Sequence, residues 1–222
     1  MDIKAIIFDL DNTLMDRDMT FHNYTEQFLN EHLGHLDQQA QDEIMADLKI
    51  RDADGYRDKQ SFFEEMVDCL PWKNPLTAQE IEAYYNKHYM THASKMKYVE
   101  ETIAYCQRRG YLLAIMTNGP HEIQYEKMNL LQLGEQFHTV IVSEDTGMSK
   151  PDPRIYELAL DRMGVAAENT IFVGDHPRND IWGAYQVGIR GIWLRRNHSW
   201  DESWGFKPWR TIDQLNELMD II

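Results

Sequence analysis

Two carboxylates two residues apart, Asp9 and Asp11, stand directly behind the apolar run Ala5-Ile6-Ile7-Phe8. Successive side chains of a strand alternate faces, so residues two apart point the same way, and past the strand end both acids can still converge on one site. Close carboxylates repel each other. A hard divalent cation such as Mg²⁺, bound through oxygen ligands, would offset that repulsion and would also orient a phosphate. The same Asp-Leu-Asp-Asn-Thr stretch would equally serve as a solvated turn in which Asn12 or Thr13 caps a helix, and the motif alone leaves both readings open.

Three later segments carry groups of the same kind. Ala114-Ile115-Met116-Thr117-Asn118-Gly119 ends an apolar run with a hydroxyl, an amide and a glycine, able to hydrogen-bond phosphate oxygens or to start a helix whose N-terminus attracts anions. Ser149-Lys150-Pro151-Asp152-Pro153 sets a cation just before an expected helix, where Lys150 could bridge an anionic nucleophile and a phosphate. Phe172 to Asp180 supplies two further acids. Asp175 at a strand end suits a metal ligand, while Asp180 near a helix start could be a ligand or a dipole partner.

These segments need a scaffold that brings them together. Short buried-strand patterns fall at Ile3 to Phe8, Leu112 to Met116, Thr139 to Val142, Thr170 to Val173 and Gly191 to Leu194. Helical patterns alternate with the later ones, at about Tyr98 to Arg109, His121 to Leu131, Pro153 to Met163 and Asn179 to Val187. Strand–helix alternation predicts an α/β fold with a Rossmann-like parallel sheet sandwiched by helices, its ligand site outside the carboxyl ends of the strands. The first connection is far longer than a crossover requires. Its excess reads as helices at Phe21 to His32, Gln38 to Leu48, Lys59 to Leu70 and Thr77 to Thr91, broken at Gly34, Gly55 and Pro71 to Pro75. This predicts a core of residues 1–14 and 98–222 with an inserted helical cap at 15–97, able to exclude water and select substrates.

Composition bounds the partners. The 222 residues have 43% hydrophobic and 27% charged content, which fits a folded globular chain. A net charge of −15 excludes the basic surface that a nucleic-acid polymer needs, while a small anion needs only a few local cations. Met1-Asp2-Ile3-Lys4 lacks the features of a secretory signal and no apolar run reaches spanning length, so a cytoplasmic location without membrane contact is expected. Cys69 and Cys106 are too few for a disulfide framework and are expected to be core or partly buried thiols, and nine scattered histidines show no zinc spacing.

Taken in order, the four segments resemble the motifs of the haloacid dehalogenase-like hydrolases: Asp9 to Thr13, Thr117, Lys150, and Asp175 to Asp180. The resemblance covers the core, and the insertion point resembles that of the helical-cap members. The dehalogenases themselves lack the second acid of the first motif, which this chain keeps as Asp11. The resemblance therefore implies a Mg²⁺-dependent phosphatase. Asp9 would be the nucleophile and a metal ligand, and Asp11 the general acid and base, offering its main-chain carbonyl to the metal. Asp175 and Asp180 would complete the metal site, and Thr117, Asn118 and Lys150 would hold the transferring phosphoryl group. To be protonated near neutral pH, Asp11 would need a raised pKa from a neighbouring anion and partial desolvation.

Thr117-Asn118-Gly119 followed by Gln124 and Lys127 is similar to the branch holding pyrimidine 5′-nucleotidases and N-acylneuraminate-9-phosphatases, implying a small phosphorylated metabolite as substrate, either a nucleotide or a sugar phosphate. A phosphomutase, a dehalogenase and a non-catalytic binding protein are the alternatives, and either a monomer or a homodimer is compatible. Arg17, Arg51 and Arg57 are candidates to meet a second anionic group, or to be paired within the cap. His176 is expected to shape its loop, and Trp193, Trp200, Trp204 and Trp209 to pack at the sheet edge.

Overall fold

Runs of β-branched and aromatic residues become five of the strands of a sheet, and the segments between them become helices. The computed structural model describes residues 2–222. In chain order the elements are β1 (Ala5–Phe8), α1 (Arg17–Leu33), α2 (Gln38–Asp52), α3 (Lys59–Cys69), α4 (Ala78–His88), α5 (Val99–Arg108), β2 (Leu112–Thr117), α6 (His121–Leu130), β3 (Thr139–Val142), α7 (Pro153–Met163), β4 (Thr170–Gly174), β5 (Arg190–Leu194) and β6 (Arg210–Ile212), joined by short helical turns.

The 6-stranded sheet has the order β3-β2-β1-β4-β5-β6, and every neighbouring pair is parallel. β1 lies inside it, with Phe8 opposite Ile115 on one side and Val173 on the other. This register sends Asp9, Thr117 and Asp175 out of the same edge, one or two residues beyond those partners. β1 and β4 are buried at every position, as strands covered on both faces must be. Ile7, Met116 and Phe172 pack with Ile155, Tyr156 and Ala159 of α7.

Two elements differ from expectation. β6 went unforeseen because it spans only three residues, two of them exposed, so it carries no alternating pattern. The helix expected from Asn179 begins at Pro177 with a widened π-type turn to Trp182, followed by a regular turn at Gly183–Gln186. At this turn the Tyr156 hydroxyl donates to the Asn179 carbonyl. Gly183 has no Cβ, and one there would collide with the Tyr156 ring and hydroxyl.

The chain divides into two compact units: residues up to Asp16 together with Lys95–Ile222, and the insertion Arg17–Ser94. At the junction, on the core side, Met96 N donates to Leu14 O at 2.8 Å and Met15 pairs with Lys95. The inserted unit is a helical bundle with an aromatic centre that includes Phe21, Tyr24, Phe28, Phe62 and Phe63. Its helix starts are capped in turn by Asp37, by Asp58 and by a reciprocal Thr77–Glu80 box. Arg17 is buried there, bonded to Asp52 at 2.7 Å and facing Asp54 at 3.5 Å. Arg51 pairs with Asp47 and Glu65, and Arg57 with Glu65, so each of the three arginines has an acid partner within its own unit. Cys106 is buried as expected, whereas Cys69 is exposed.

Candidate active site

Asp9 leaves β1 with its backbone N–H tied to Val173 O at 2.9 Å, so the sheet itself sets where its side chain begins. The carboxylate is buried: Oδ1 accepts from Lys150 Nζ at 2.5 Å and Oδ2 from the Thr13 hydroxyl at 3.2 Å. Lys150 is equally buried and donates also to Asp180 Oδ1 at 2.7 Å. One ammonium thus bridges two carboxylates. Burial pushes the Asp9 carboxyl up to about 7, with Asp180 and Asp11 adding to the rise and Lys150 opposing it. Burial also works against the charge on Lys150, but the Asp180 and Asp9 carboxylates outweigh it and raise its pKa well above the ordinary value.

Asp175 follows β4, and its backbone carbonyl accepts from Trp193 Nε1 at 2.9 Å, a bond from the neighbouring strand that fixes the loop. Oxygens of Asp9, Asp175 and Asp180, all buried, lie within 4.8 Å of one another. Three acids against one lysine leave an excess of negative charge out of water, which a hard cation with oxygen preference would neutralise. Gly174 makes room for this cluster, because a Cβ there would overlap the Asp180 carboxyl group. The donor set therefore fits Mg²⁺. His176 shapes its loop: Nδ1 accepts from the backbone N–H groups of Arg178 and Asn179, both at 3.2 Å, while the backbone N–H of His176 donates to Asp180 Oδ2 at 2.9 Å.

The side chain of Asn118 is engaged with Lys150. Its amide donates to Lys150 O at 2.9 Å and its Oδ1 accepts from Lys150 N at 2.8 Å, so both ends of the amide bond the lysine's backbone. Thr117 is buried at the end of β2, and its hydroxyl oxygen accepts from Gln124 Nε2. An oxygen that accepts from the amide keeps its own proton to donate elsewhere.

Asp11 stands close enough to Asp9 to add to the rise in its pKa, and it also has cationic and amide partners that were not expected. Its carboxylate meets Lys127 Nζ at 2.8 and 2.7 Å and Gln124 Nε2 at 3.1 Å. Gln124 and Lys127 stand three apart on α6 and so share a face. Gly119 makes room for Gln124: it has φ +147, and a Cβ there would press on Gln124 Cδ at 3.0 Å. The resemblance after Thr117 singles out this pair, but nothing in the sequence tells which acid faces it.

A parallel sheet with acids at the ends of adjacent strands and a lysine bridging two of them defines a hydrolase class already suggested by the motifs. The chain belongs to the haloacid dehalogenase-like hydrolases, whose family profile matches residues 6–194. Among its relatives, a glyceraldehyde 3-phosphate phosphatase of Pyrococcus furiosus is 26% identical over 99% of this chain and 93% of its own length. A phosphoserine phosphatase of Thermus thermophilus is 41% identical over 44% of this chain, a match that spans only 39% of that relative's length. A pyrimidine 5′-nucleotidase, YjjG of Escherichia coli, is 29% identical over 50% of this chain and 49% of its own. The solved structure of the hydrolase YfnB from Bacillus subtilis shares the fold, with a TM-score of 0.76 over 100% of this chain and 99% of that one at 22% identity.

Proposed function

We propose that this protein is a Mg²⁺-dependent phosphatase that hydrolyses a small phosphate monoester through an aspartyl-phosphate on Asp9. The observation that carries the reading is the buried junction of Asp9, Lys150 and Asp180, with Asp175 beside it and the second acid, Asp11, retained two residues from Asp9. An Asp9 oxygen forms a bond to phosphorus as the ester oxygen departs on the opposite side, and Asp11 supplies the proton that oxygen needs. A water deprotonated by Asp11 then attacks the same phosphorus, and inorganic phosphate leaves with Asp9 restored. Lys150 and the Thr117 hydroxyl hold the phosphoryl oxygens, a fixed arrangement of donors for charge that develops during transfer. Mg²⁺ held by Asp9, Asp175, Asp180 and the Asp11 carbonyl would neutralise the acids and the phosphoryl oxygens together.

The named activities of the relatives cover a sugar phosphate, an amino-acid phosphate and nucleotides, which supports a monoester of a small metabolite without favouring one. Residues 17–94 are where we locate the choice among such esters. A mutase would share the aspartyl-phosphate but return the phosphoryl group to its substrate, so stoichiometric phosphate release separates the two. The test is phosphate release from nucleotides, sugar phosphates and p-nitrophenyl phosphate, with Mg²⁺ or with EDTA, by the wild type and Asp9→Asn. Release that needs both Mg²⁺ and Asp9 is expected; release by Asp9→Asn would exclude the covalent route.

A further inference from the structure

The side chains of Gln124 and Lys127 form a clamp on Asp11 that the proposed chemistry does not itself require. Lys127 Nζ bonds both Asp11 oxygens at 2.8 and 2.7 Å, and Gln124 Nε2 adds a bond to Oδ2 at 3.1 Å. The same Nε2 shares its two hydrogens with Thr117 Oγ1 and, at 3.2 Å, the Asn118 carbonyl as well. Gln124 and Lys127 are buried, and the Asp11 side chain is 24% exposed. A carboxylate held at both oxygens by a nearly desolvated ammonium has one orientation, and the amide locks that orientation to the segment carrying the Thr117 hydroxyl.

We propose that Gln124 and Lys127 are positioning residues: they fix where the Asp11 carboxylate stands and tie it to Thr117, so that one helix face aligns the proton-transfer group with the phosphoryl-holding group. This inference rests on the phosphatase reading. A group that transfers a proton must stand within hydrogen-bond reach of the departing oxygen, so releasing the clamp should harm the esters that need that proton most. An alkyl phosphate has a poor leaving group and needs it; p-nitrophenyl phosphate, with a good one, does not.

The experiment compares kcat/KM, which reports steps through phosphoryl transfer to Asp9, for glycerol phosphate, phenyl phosphate and p-nitrophenyl phosphate. The variants are Lys127→Met, Gln124→Leu, Asp11→Asn and the double variant Lys127→Met with Asp11→Asn. Folding is followed by circular dichroism and thermal unfolding. Expected is a loss of about 10- to 100-fold on glycerol phosphate for Lys127→Met and Gln124→Leu, within the range general acid catalysis contributes, against about threefold or less on p-nitrophenyl phosphate. In the Asp11→Asn background the Lys127 substitution should add no further kinetic loss, and the shifts in unfolding midpoint of the two singles should not sum to the shift of the double. Lys127→Arg should restore much of the glycerol phosphate activity. Equal losses across the three esters, a rise in KM with kcat unchanged, or a fully additive double variant would overturn the inference. A wild type that releases no phosphate from any ester, or an Asp11→Asn variant indifferent to the leaving group, would instead bring down the phosphatase reading, and the positioning role with it.

Discussion

Asn118 and Lys150 hold each other by two hydrogen bonds that run in opposite directions, amide to carbonyl at 2.9 Å and backbone N–H to Oδ1 at 2.8 Å. The loop after β2 and the loop before α7 are thereby locked together, and the lysine emerges from a fixed base toward Asp9 and Asp180. Asn118→Asp keeps one acceptor but loses the donor, leaving the Lys150 carbonyl without that bond. The expected result is a loss of about 1–3 kcal/mol in unfolding free energy, measured with urea, together with lower kcat.

Lys150→Ala leaves Asp9 and Asp180 buried without their shared cation. Breaking a buried ion pair on one side costs about 3–5 kcal/mol, so the metal-free variant should remain folded but unfold at clearly lower urea concentration. Adding Mg²⁺ should recover part of that loss, because the cation fills the same electrostatic need. A midpoint unchanged from the wild type would show that the two acids are not held ionised at this junction.

Replacement of Asp9 by Asn changes little volume and removes the nucleophile. Turnover should fall by about a thousandfold or more while the circular dichroism spectrum stays that of the wild type. Since burial raises the Asp9 carboxyl, the neutral amide should leave the metal-free protein at least as stable at neutral pH as the wild type. Thermal unfolding in EDTA measures this directly.

Gly174→Ala would drive a methyl group into the Asp180 carboxyl. An overpacked site of this kind typically costs about 1–3 kcal/mol, and here the displaced group is one of the three clustered acids. Mg²⁺ affinity, followed by the metal-induced shift in unfolding temperature, should fall with it. An unaltered shift would mean that Asp180 stands outside the metal site.

In the inserted unit, His32 packs against Phe28 and Tyr84, and burial lowers its pKa from the ordinary 6.5, with Glu31 opposing and His88 adding. The unfolded chain then binds more protons than the folded one in the interval below that value. Stability from this group is complete above about pH 6.5 and declines as pH falls toward the lower folded value. The unfolding midpoint should drop from about pH 7 to about pH 5.5, and less steeply in His32→Leu. Equal slopes in the two proteins would clear His32 of the effect.

Asp9, Thr117 and Asp175 were legible because each comes at the end of an apolar run long enough to be a buried strand: Asp9 after Phe8, Thr117 after Met116, Asp175 after Gly174. Local order in the chain carries that information. The side-chain bonds of Asn118 were not legible, since nothing in the local sequence says that Lys150 lies behind the amide. The same holds for Asp11, whose partner Lys127 is more than a hundred residues away along the chain. β6 and the π-type turn after His176 were hidden for related reasons. Three residues are too few to show a period, and the widened turn packs against Tyr156 of another helix, which local sequence does not reveal.

The pairing of Met15 with Lys95 and the bond from Met96 N to Leu14 O bring the two ends of the insertion side by side on the core. A core built this way is a socket. Any segment whose own termini meet can be plugged into it, and closure entropy grows so slowly with length that each doubling costs only about 0.6 kcal/mol more. The β1–β2 register is indifferent to what occupies the gap. The insertion can therefore be exchanged as one contiguous stretch of sequence, while the acids, the lysine and the clamp on Asp11 are inherited unchanged.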